Sequence, residues 1–404
     1  MGWHTVKKLP RPIWGVGFVT LCLNLSSIIV FSLSPLYLTQ RFGISRFSLG
    51  ILEGSIEFIA LGTRIIAGFI CDAMVKRKPL LLIAVGLSFV SRPLFPLANN
   101  IFIVFLSRSI ERVANGLQAT PREALIGDFA PPKLRGSAYG LRESLGKMGS
   151  FLGAGIAMIW LLYNVDSLYE IFWFTCIPPL LGLILLILIV HDKPQLVTSS
   201  TTAKTSFKVR FKEVFSYQNI TSLKQNYWIV VLISFMFMLS NYSGAFVILQ
   251  GKHVTQLDII APLSMVLQNG MAMMTALPIG RLFDRYSHTL ILGIGFCIVI
   301  VANIVFIMAT NMAMVLLGAG LWGIQLAMTQ SLLVAKIAIN SQEKNRGTAF
   351  ALYYLAIGIA FLIANSVMGK ISDSFSLGWG FGYSLTIAVI ALGMLPLLKL
   401  TKSE

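Results

Sequence analysis

The sequence predicts an all-α membrane protein of twelve transmembrane helices in two pseudo-symmetric six-helix halves. Three observations carry this. The 404-residue chain is 56% hydrophobic and only 12% charged, with mean hydropathy +0.79, whereas soluble domains run near 25% charged. Its apolar runs are about 20 residues long, the length of helix that crosses the hydrocarbon core of a bilayer. Two motifs also recur at one spacing. Gly68-Phe-Ile-Cys-Asp72 is echoed by Gly280-Arg-Leu-Phe-Asp284, offset 284 − 72 = 212, and Arg135-Gly-Ser-Ala-Tyr139 by Arg346-Gly-Thr-Ala-Phe350, offset 346 − 135 = 211. A shared offset in unrelated motifs marks a duplicated half, and in a membrane chain two parallel halves enclose a path between them.

The first apolar run follows Lys7, Lys8 and Arg11 and has no small-residue cleavage site, so it reads as a span rather than a signal peptide. Spans are expected at roughly 13–38, 48–71, 80–98, 101–123, 137–162, 169–191, 227–249, 257–280, 289–309, 312–337, 347–369 and 378–400. All should be helices, because lipid offers the backbone no hydrogen-bond partner. The chain thus divides into an N-terminal half, 1–191, a linker, 192–226, and a C-terminal half, 227–404. Alternate loops are basic: Lys76-Arg77-Lys78, Lys133 and Arg135, the linker, Arg281 and Arg285, Lys344 and Arg346. By the positive-inside rule these loops and both termini are cytoplasmic. The net charge of +16 is therefore a matter of orientation, not of nucleic-acid binding. The Ser-, Thr- and Lys-rich linker reads as a solvated hinge, with its basic cluster suited to anionic lipid. The four cysteines fall inside apolar runs and have neither disulfide nor metal spacing.

The paired Gly-x-x-x-Asp motifs resemble the cytoplasmic loop signature of the major facilitator superfamily, which repeats between spans 2 and 3 and between spans 8 and 9. Asp72 and Asp284 hold the acidic position, and Gly68 and Gly280 the leading glycine, which is expected to allow close helix approach. Ala73, Val75 and Ser287 depart from the pattern. Arg112-Val-Ala-Asn115-Gly116 is similar to the Arg-x-x-x-Gly element of proton-coupled members. Glu53-Gly-Ser-Ile-Glu57, Ser91-Arg92-Pro93-Leu94, Pro121-Arg122-Glu123-Ala124-Leu125-Ile126 and Asn241-Tyr242-Ser243 resemble a narrower bacterial, efflux-like subgroup, while Asn115, Gln118 and Gly244 stand where that subgroup often carries charge. The resemblance implies the twelve-helix fold, a central cavity lined by spans 1, 4, 7 and 10, and a bacterial inner-membrane location.

Ionisable groups inside spans are costly and mark cavities or partners. The N-terminal half holds Glu53, Glu57, Arg64, Arg92, Arg108, Glu111, Arg112, Arg142, Glu143 and Lys147, whereas the matching spans of the other half hold little beyond Lys336. At about 100° per residue Glu53, Glu57 and Arg64 project within about 40° of one another. Arg108, Glu111 and Arg112 are i, i+3, i+4 neighbours. Arginine holds its proton, so any proton carrier is a carboxylate. Burial favours the neutral carboxyl and a neighbouring guanidinium the ionised one, so exchanging those surroundings can load and release a proton. Glu57 and Glu111 are the first candidates, then Glu53, with Arg112 as switching partner. The alternative is that these pairs only hold spans 2, 4 and 5 together.

For solute contact the candidates are Asn24, Arg108, Arg112, Asn241, Gln325 and Thr329, each weighed against a simple helix–helix hydrogen bond. Gly68, Asp72, Arg77, Arg122, Asp128, Arg135, Asp284, Arg285 and Arg346 are expected to form a conformational latch at the basic ends. Glycines in spans 5 and 11 (Gly146, Gly149, Gly153, Gly155, Gly358 and Gly369) suit close helix packing. The chain has no nucleotide-binding loop, no serine–histidine arrangement, and four unpaired histidines that make no metal site. No cofactor is expected and an enzyme is excluded. The reading is a secondary active transporter working by alternating access, exporting a drug-like or siderophore-like solute against protons. Its partners would be a small solute, protons and the lipid bilayer, and it would be a monomer. Import of a small anionic nutrient or iron chelate is the alternative, and a non-transporting receptor or scaffold the alternative of another class.

Overall fold

The computed structural model describes residues 9–74, 76–131, 134–163, 169–192, 216–283, 286–342 and 345–400. The expected latch residues Asp284 and Arg285, the side chain of Asp72 and linker residues 193–215 lie outside what is described. Among the described residues there are helices and connecting turns and no strand. The helices are α1 (Arg11–Phe42), α2 (Arg46–Ala73), α3 (Lys78–Leu94), α4 (Ile101–Phe129), α5 (Arg135–Tyr163), α6 (Glu170–Phe174), α7 (Ile177–Ile189) and α8 (Tyr217–Thr221). They continue with α9 (Gln225–Leu239), α10 (Gly244–Thr255), α11 (Ile260–Phe283), α12 (His288–Met308), α13 (Met312–Ile339), α14 (Arg346–Ser374), α15 (Leu377–Met394) and α16 (Leu397–Leu400).

Among the described residues, nine stretches are long and apolar enough to cross a membrane, with α6–α7 and α9–α10 each counting as one. The other long helices, α3, α4 and α11, occupy three further expected spans, so the architecture is consistent with twelve crossings. The duplication reappears in the helix ends. α4 and α13 start 312 − 101 = 211 residues apart, and α5 and α14 start 346 − 135 = 211 apart. Even the caps repeat: the side chains of Asn100 and Asn311 each accept the N–H three residues on, at 3.0 Å, which satisfies a donor that the helix start would strand.

The chain folds as two compact units. Unit 1 comprises 1–31 and 59–213. Its core sets Ile13, Val16 and Val19 of α1 against Leu81 and Val85 of α3, Leu125 and Ile126 of α4, and Leu186 of α7. Glycine allows α5 to approach α1 closely. A Cβ on Gly149 would lie 2.3 Å from the Leu21 carbonyl oxygen, and one on Gly153 2.4 Å from that of Leu25. Gly116 likewise brings α4 onto α2, 2.6 Å from the Ala60 carbonyl oxygen. Gly68, expected to mediate such an approach, does not: among the described residues a Cβ there meets nothing within 4 Å.

Unit 2 comprises 32–58 and 214–404. Its centre is aromatic, with Phe237 stacked on Phe296 at 3.9 Å and Tyr242 on Trp322 at 4.3 Å. The 46–58 stretch of α2 packs on α14 backbone to backbone. A Cβ on Gly50 would sit 2.2 Å from the Asn365 carbonyl oxygen, and one on Gly369 2.4 Å from that of Arg46. Asp373 accepts the N–H groups of Arg46 and Phe47 at 3.0 and 2.8 Å, placing a carboxylate on the positive end of α2.

Two expected spans are interrupted. The 169–191 span turns at Thr175–Cys176 between α6 and α7, and the 227–249 span unwinds at 240–243 between α9 and α10. The second break has a local cause. Ser240, Asn241 and Ser243 offer the backbone alternatives to helical bonds. Ser243 is extended at φ −67°, ψ 143°, and its hydroxyl accepts Ala245 N–H at 3.2 Å as the cap of α10.

Candidate functional site

The buried polar groups gather into two clusters, one in each unit. In unit 1, the Glu111 carboxylate of α4 lies 3.4 Å from Arg92 of α3 and 3.3 Å from Arg112. Ser27 of α1 completes it: its hydroxyl accepts from Arg92 at 2.7 Å and donates to Glu111 at 2.7 Å. Three helices are thereby joined through one carboxylate. Arg92, Glu111 and Arg108 are all buried, at 3%, 5% and 2% exposure, and the Arg108 guanidinium lies 6.0 Å from the centre of the Phe31 ring. Ser107 ties α4 to α3 again by donating to the Ser91 carbonyl at 2.7 Å.

In unit 2 the cluster surrounds the break at 240–243. Glu53 of α2 is 3% exposed, and its carboxylate accepts the Ser243 hydroxyl at 2.9 Å. The Ser243 N–H, unable to bond within a helix, donates to the Asn365 side chain of α14 at 2.7 Å. Tyr242 donates to Asn303 of α12 at 3.0 Å, Asn303 donates to Ser384 of α15 at 3.0 Å, and Ser384 donates to the Ser240 carbonyl. The broken backbone therefore finds its partners in side chains from α14 and α15, as a buried break requires. A carboxylate here also faces the start of α10, where the helix dipole is positive.

The sequence candidates divide accordingly. Glu111 and Arg112 join Arg92 and Ser27, and Glu53 joins Ser243. Glu57 is half-buried on α2. Among the solute candidates, Asn24 donates to the Gly146 carbonyl at 3.0 Å, a helix–helix bond, and Asn241 donates to the Phe237 carbonyl of its own helix at 2.9 Å. Gln325 and Thr329 are each 1% exposed. They bond each other, Nε2 to hydroxyl at 3.0 Å, which leaves the Gln325 Oε1 without a donor among the described residues. Of the latch candidates, Arg77 pairs with Asp128 at 3.1 Å, and the Arg77 and Lys78 N–H groups both donate to Asp192 at 2.9 Å. Arg122 lies 3.5 Å from Glu123, which Arg142 meets at 2.7 Å. Arg135 and Arg346 are exposed.

Sequence reasoning passed over Ser27, Asn303, Asn365, Asp373 and Ser384. A signal was there for two of them: Asn303 and Asn365 are carboxamides in the middle of long apolar runs, where an unbonded amide is costly. Among the described residues no group of three or more His, Cys, Asp or Glu converges as a metal site would need.

The sequence profile of the Major Facilitator Superfamily matches residues 16–337 and, in a second match, 254–404. An uncharacterized MFS-type transporter of Methanocaldococcus jannaschii is 26% identical over 394 residues, covering 95% of this chain and 94% of that protein. An uncharacterized protein of Mycobacterium tuberculosis is 21% identical over 375 residues, covering 90% and 86%. Two solved structures share the fold. A POT family transporter in complex with 5-aminolevulinic acid superimposes with TM-score 0.77 at 13% identity, covering 98% of each chain. A D-xylose-proton symporter does so with TM-score 0.73 at 17% identity, covering 95% of this chain and 96% of its own.

Proposed function

Because this chain belongs to the Major Facilitator Superfamily, a family of transporters rather than enzymes, we propose that it exports a small organic solute across a bacterial inner membrane in exchange for protons, with Glu53 as the proton-carrying group. The observation that carries this is the Glu53–Ser243 bond: a carboxylate 3% exposed, 2.9 Å from the hydroxyl that caps α10 at a break in the helix. An ionised Glu53 accepts the Ser243 proton and faces the positive start of α10. A protonated Glu53 does so more weakly, because its charge is gone. Proton loading would thus loosen one contact at the point where the helix is already unwound. Conformational change concentrates where few bonds must be broken.

Glu111 has a different part in this reading. Its charge is matched by two guanidinium groups and a serine, so it anchors α1, α3 and α4 as one body. Gln325, with a buried carboxamide oxygen that lacks a donor among the described residues, is the strongest solute contact in unit 2. A second reading, import of an anionic solute by proton symport, is favoured by the buried Arg92 and Arg108, since guanidinium groups suit carboxylate-bearing cargo. The likeness in fold to a D-xylose-proton symporter is in keeping with this second reading.

The test starts with a thermal-shift screen of chelators, drugs and organic acids on the purified protein, followed by transport of the best ligand in proteoliposomes under an imposed pH gradient. Glu53→Gln should abolish gradient-driven accumulation while leaving ligand binding within about threefold. Full gradient-driven accumulation by Glu53→Gln overturns the assignment. The sign of the gradient that drives accumulation separates export from import.

A further inference from the structure

Glu53 and Ser243 lie far apart in the chain, on α2 and at the start of α10, yet their side chains meet at 2.9 Å. One turn of α14, residues 361–365, is in contact both with Ser243 and with the backbone on either side of Glu53. Asn365, at the end of that turn, is fully buried, at 0% exposure. Its Nδ2 donates to the Phe361 carbonyl, four residues back, at 2.7 Å. That bond fixes which way the amide faces and leaves the Oδ1 to accept the Ser243 N–H, also at 2.7 Å. A buried N–H outside any helical ladder needs such a partner, so the Ser243 backbone is held where Asn365 puts it.

The same turn sets where α2 lies. Gly50 and Gly54 stand on either side of Glu53 in the sequence. A Cβ on Gly50 would meet the Asn365 carbonyl oxygen, and one on Gly54 would lie 2.8 Å from the Leu362 Cα. With no side chain at either position, α2 rests directly on the α14 backbone. Both ends of the Glu53–Ser243 bond are therefore placed by one turn of α14. The Ser243 hydroxyl has a single proton to give. It donates that proton to Glu53 while accepting the Ala245 N–H at 3.2 Å, so its direction follows the backbone that carries it. A bond of this kind weakens steeply as its distance and angle depart from the ideal. A group that holds one partner in place decides how well it forms.

We propose that Asn365 is a positioning residue for the proton carrier. It holds the Ser243 hydroxyl on Glu53, so that gain or loss of the Glu53 proton is transmitted to the start of α10. Without it Glu53 still exchanges its proton, but Ser243 no longer follows the change in charge. This role rests on the reading of Glu53 as the proton carrier, and it can fail while that reading stands.

The experiment is infrared difference spectroscopy of the full-length protein in lipid, stepped between acid and alkaline pH. The band lost in Glu53→Gln is the carbonyl stretch of the protonated Glu53 carboxyl. A hydrogen bond from Ser243 lowers that stretch, so Ser243→Ala should move the band to higher wavenumber. Asn365→Ala and Asn365→Leu should each keep the band and move it the same way, by at least half as much. Asn365→Leu fills the space of the amide without offering an acceptor, so a packing defect in Asn365→Ala does not decide the matter. In the double variant Ser243→Ala/Asn365→Ala the band should stand where Ser243→Ala alone puts it. A merely structural Asn365 would lower the thermal midpoint and leave the band in place. A band unmoved in both Asn365 variants, or displaced further in the double variant than in Ser243→Ala, overturns the positioning role and leaves Glu53 as the carrier. A band that persists in Glu53→Gln overturns the carrier and this role together.

Discussion

Unit 1 holds its buried acid Glu111 between guanidinium groups, whereas unit 2 sets Glu53 among the neutral amides and hydroxyls around its helix break. In unit 1 Glu111 is held by Arg92, Arg112 and Ser27, and each of those contacts is charge-assisted. Separating such groups in a low-dielectric interior exposes bare charges to it, so the helices that carry them move together or not at all. In unit 2 the 240–243 break is held by Asn365, Asn303 and Ser384, through bonds worth about 1 kcal/mol each. Such bonds can be exchanged one at a time. A rigid charged anchor and an adaptable neutral hinge are different devices, and Glu53 is the acid that touches the hinge.

Substitutions test that contrast in order of size. Glu111→Ala leaves Arg92 buried without its carboxylate, and should cost about 3–5 kcal/mol, seen as a sharp fall in the thermal midpoint or in the yield of monodisperse protein in detergent. If it costs no more than a neutral hydrogen bond, unit 1 is not a charge anchor. Asn365→Ala removes the acceptor of the Ser243 N–H and should cost about 1–3 kcal/mol, with faster amide exchange confined to the 240–245 region. Asp373→Ala uncaps α2 and should cost about 1 kcal/mol, read as faster exchange at residues 46–49. Arg77→Ala breaks a pair in which both side chains are about a quarter exposed, and should change the midpoint by less than about 1 kcal/mol. A larger effect there would promote the expected latch from a surface pair to a structural element.

The spans were legible because lipid imposes one requirement on every crossing: a long apolar helix. Some helices run past the hydropathy windows, since windows stop at the first polar residues while the backbone continues into the interface, as α1 does to Phe42, whereas α3 and α15 end at Leu94 and Met394, short of theirs. The duplication was legible in motifs and returns in the Asn100 and Asn311 caps. The break at 240–243 was not. Ser, Asn and Tyr in an apolar run read equally well as polar groups on an unbroken helix, and only the partners on α14 and α15 decide for unwinding. The same limit hid Ser27, Asn365 and Asp373, whose roles depend on which helix faces which. Glycine shows it most clearly. Gly68 stands in a family motif yet a Cβ there meets nothing within 4 Å among the described residues, whereas Gly50 and Gly116, which no close-approach argument singled out, meet backbone oxygens at 2.2 and 2.6 Å.

The most direct test of Glu53 as proton carrier needs no solute. Infrared difference spectra of the protein in lipid, recorded as pH is stepped from acid to alkaline, report the carbonyl stretch of any buried carboxyl that gains or loses its proton. The account predicts a band that is present in the unmodified protein and in Glu57→Gln and absent in Glu53→Gln. A band that persists undiminished in Glu53→Gln would contradict it.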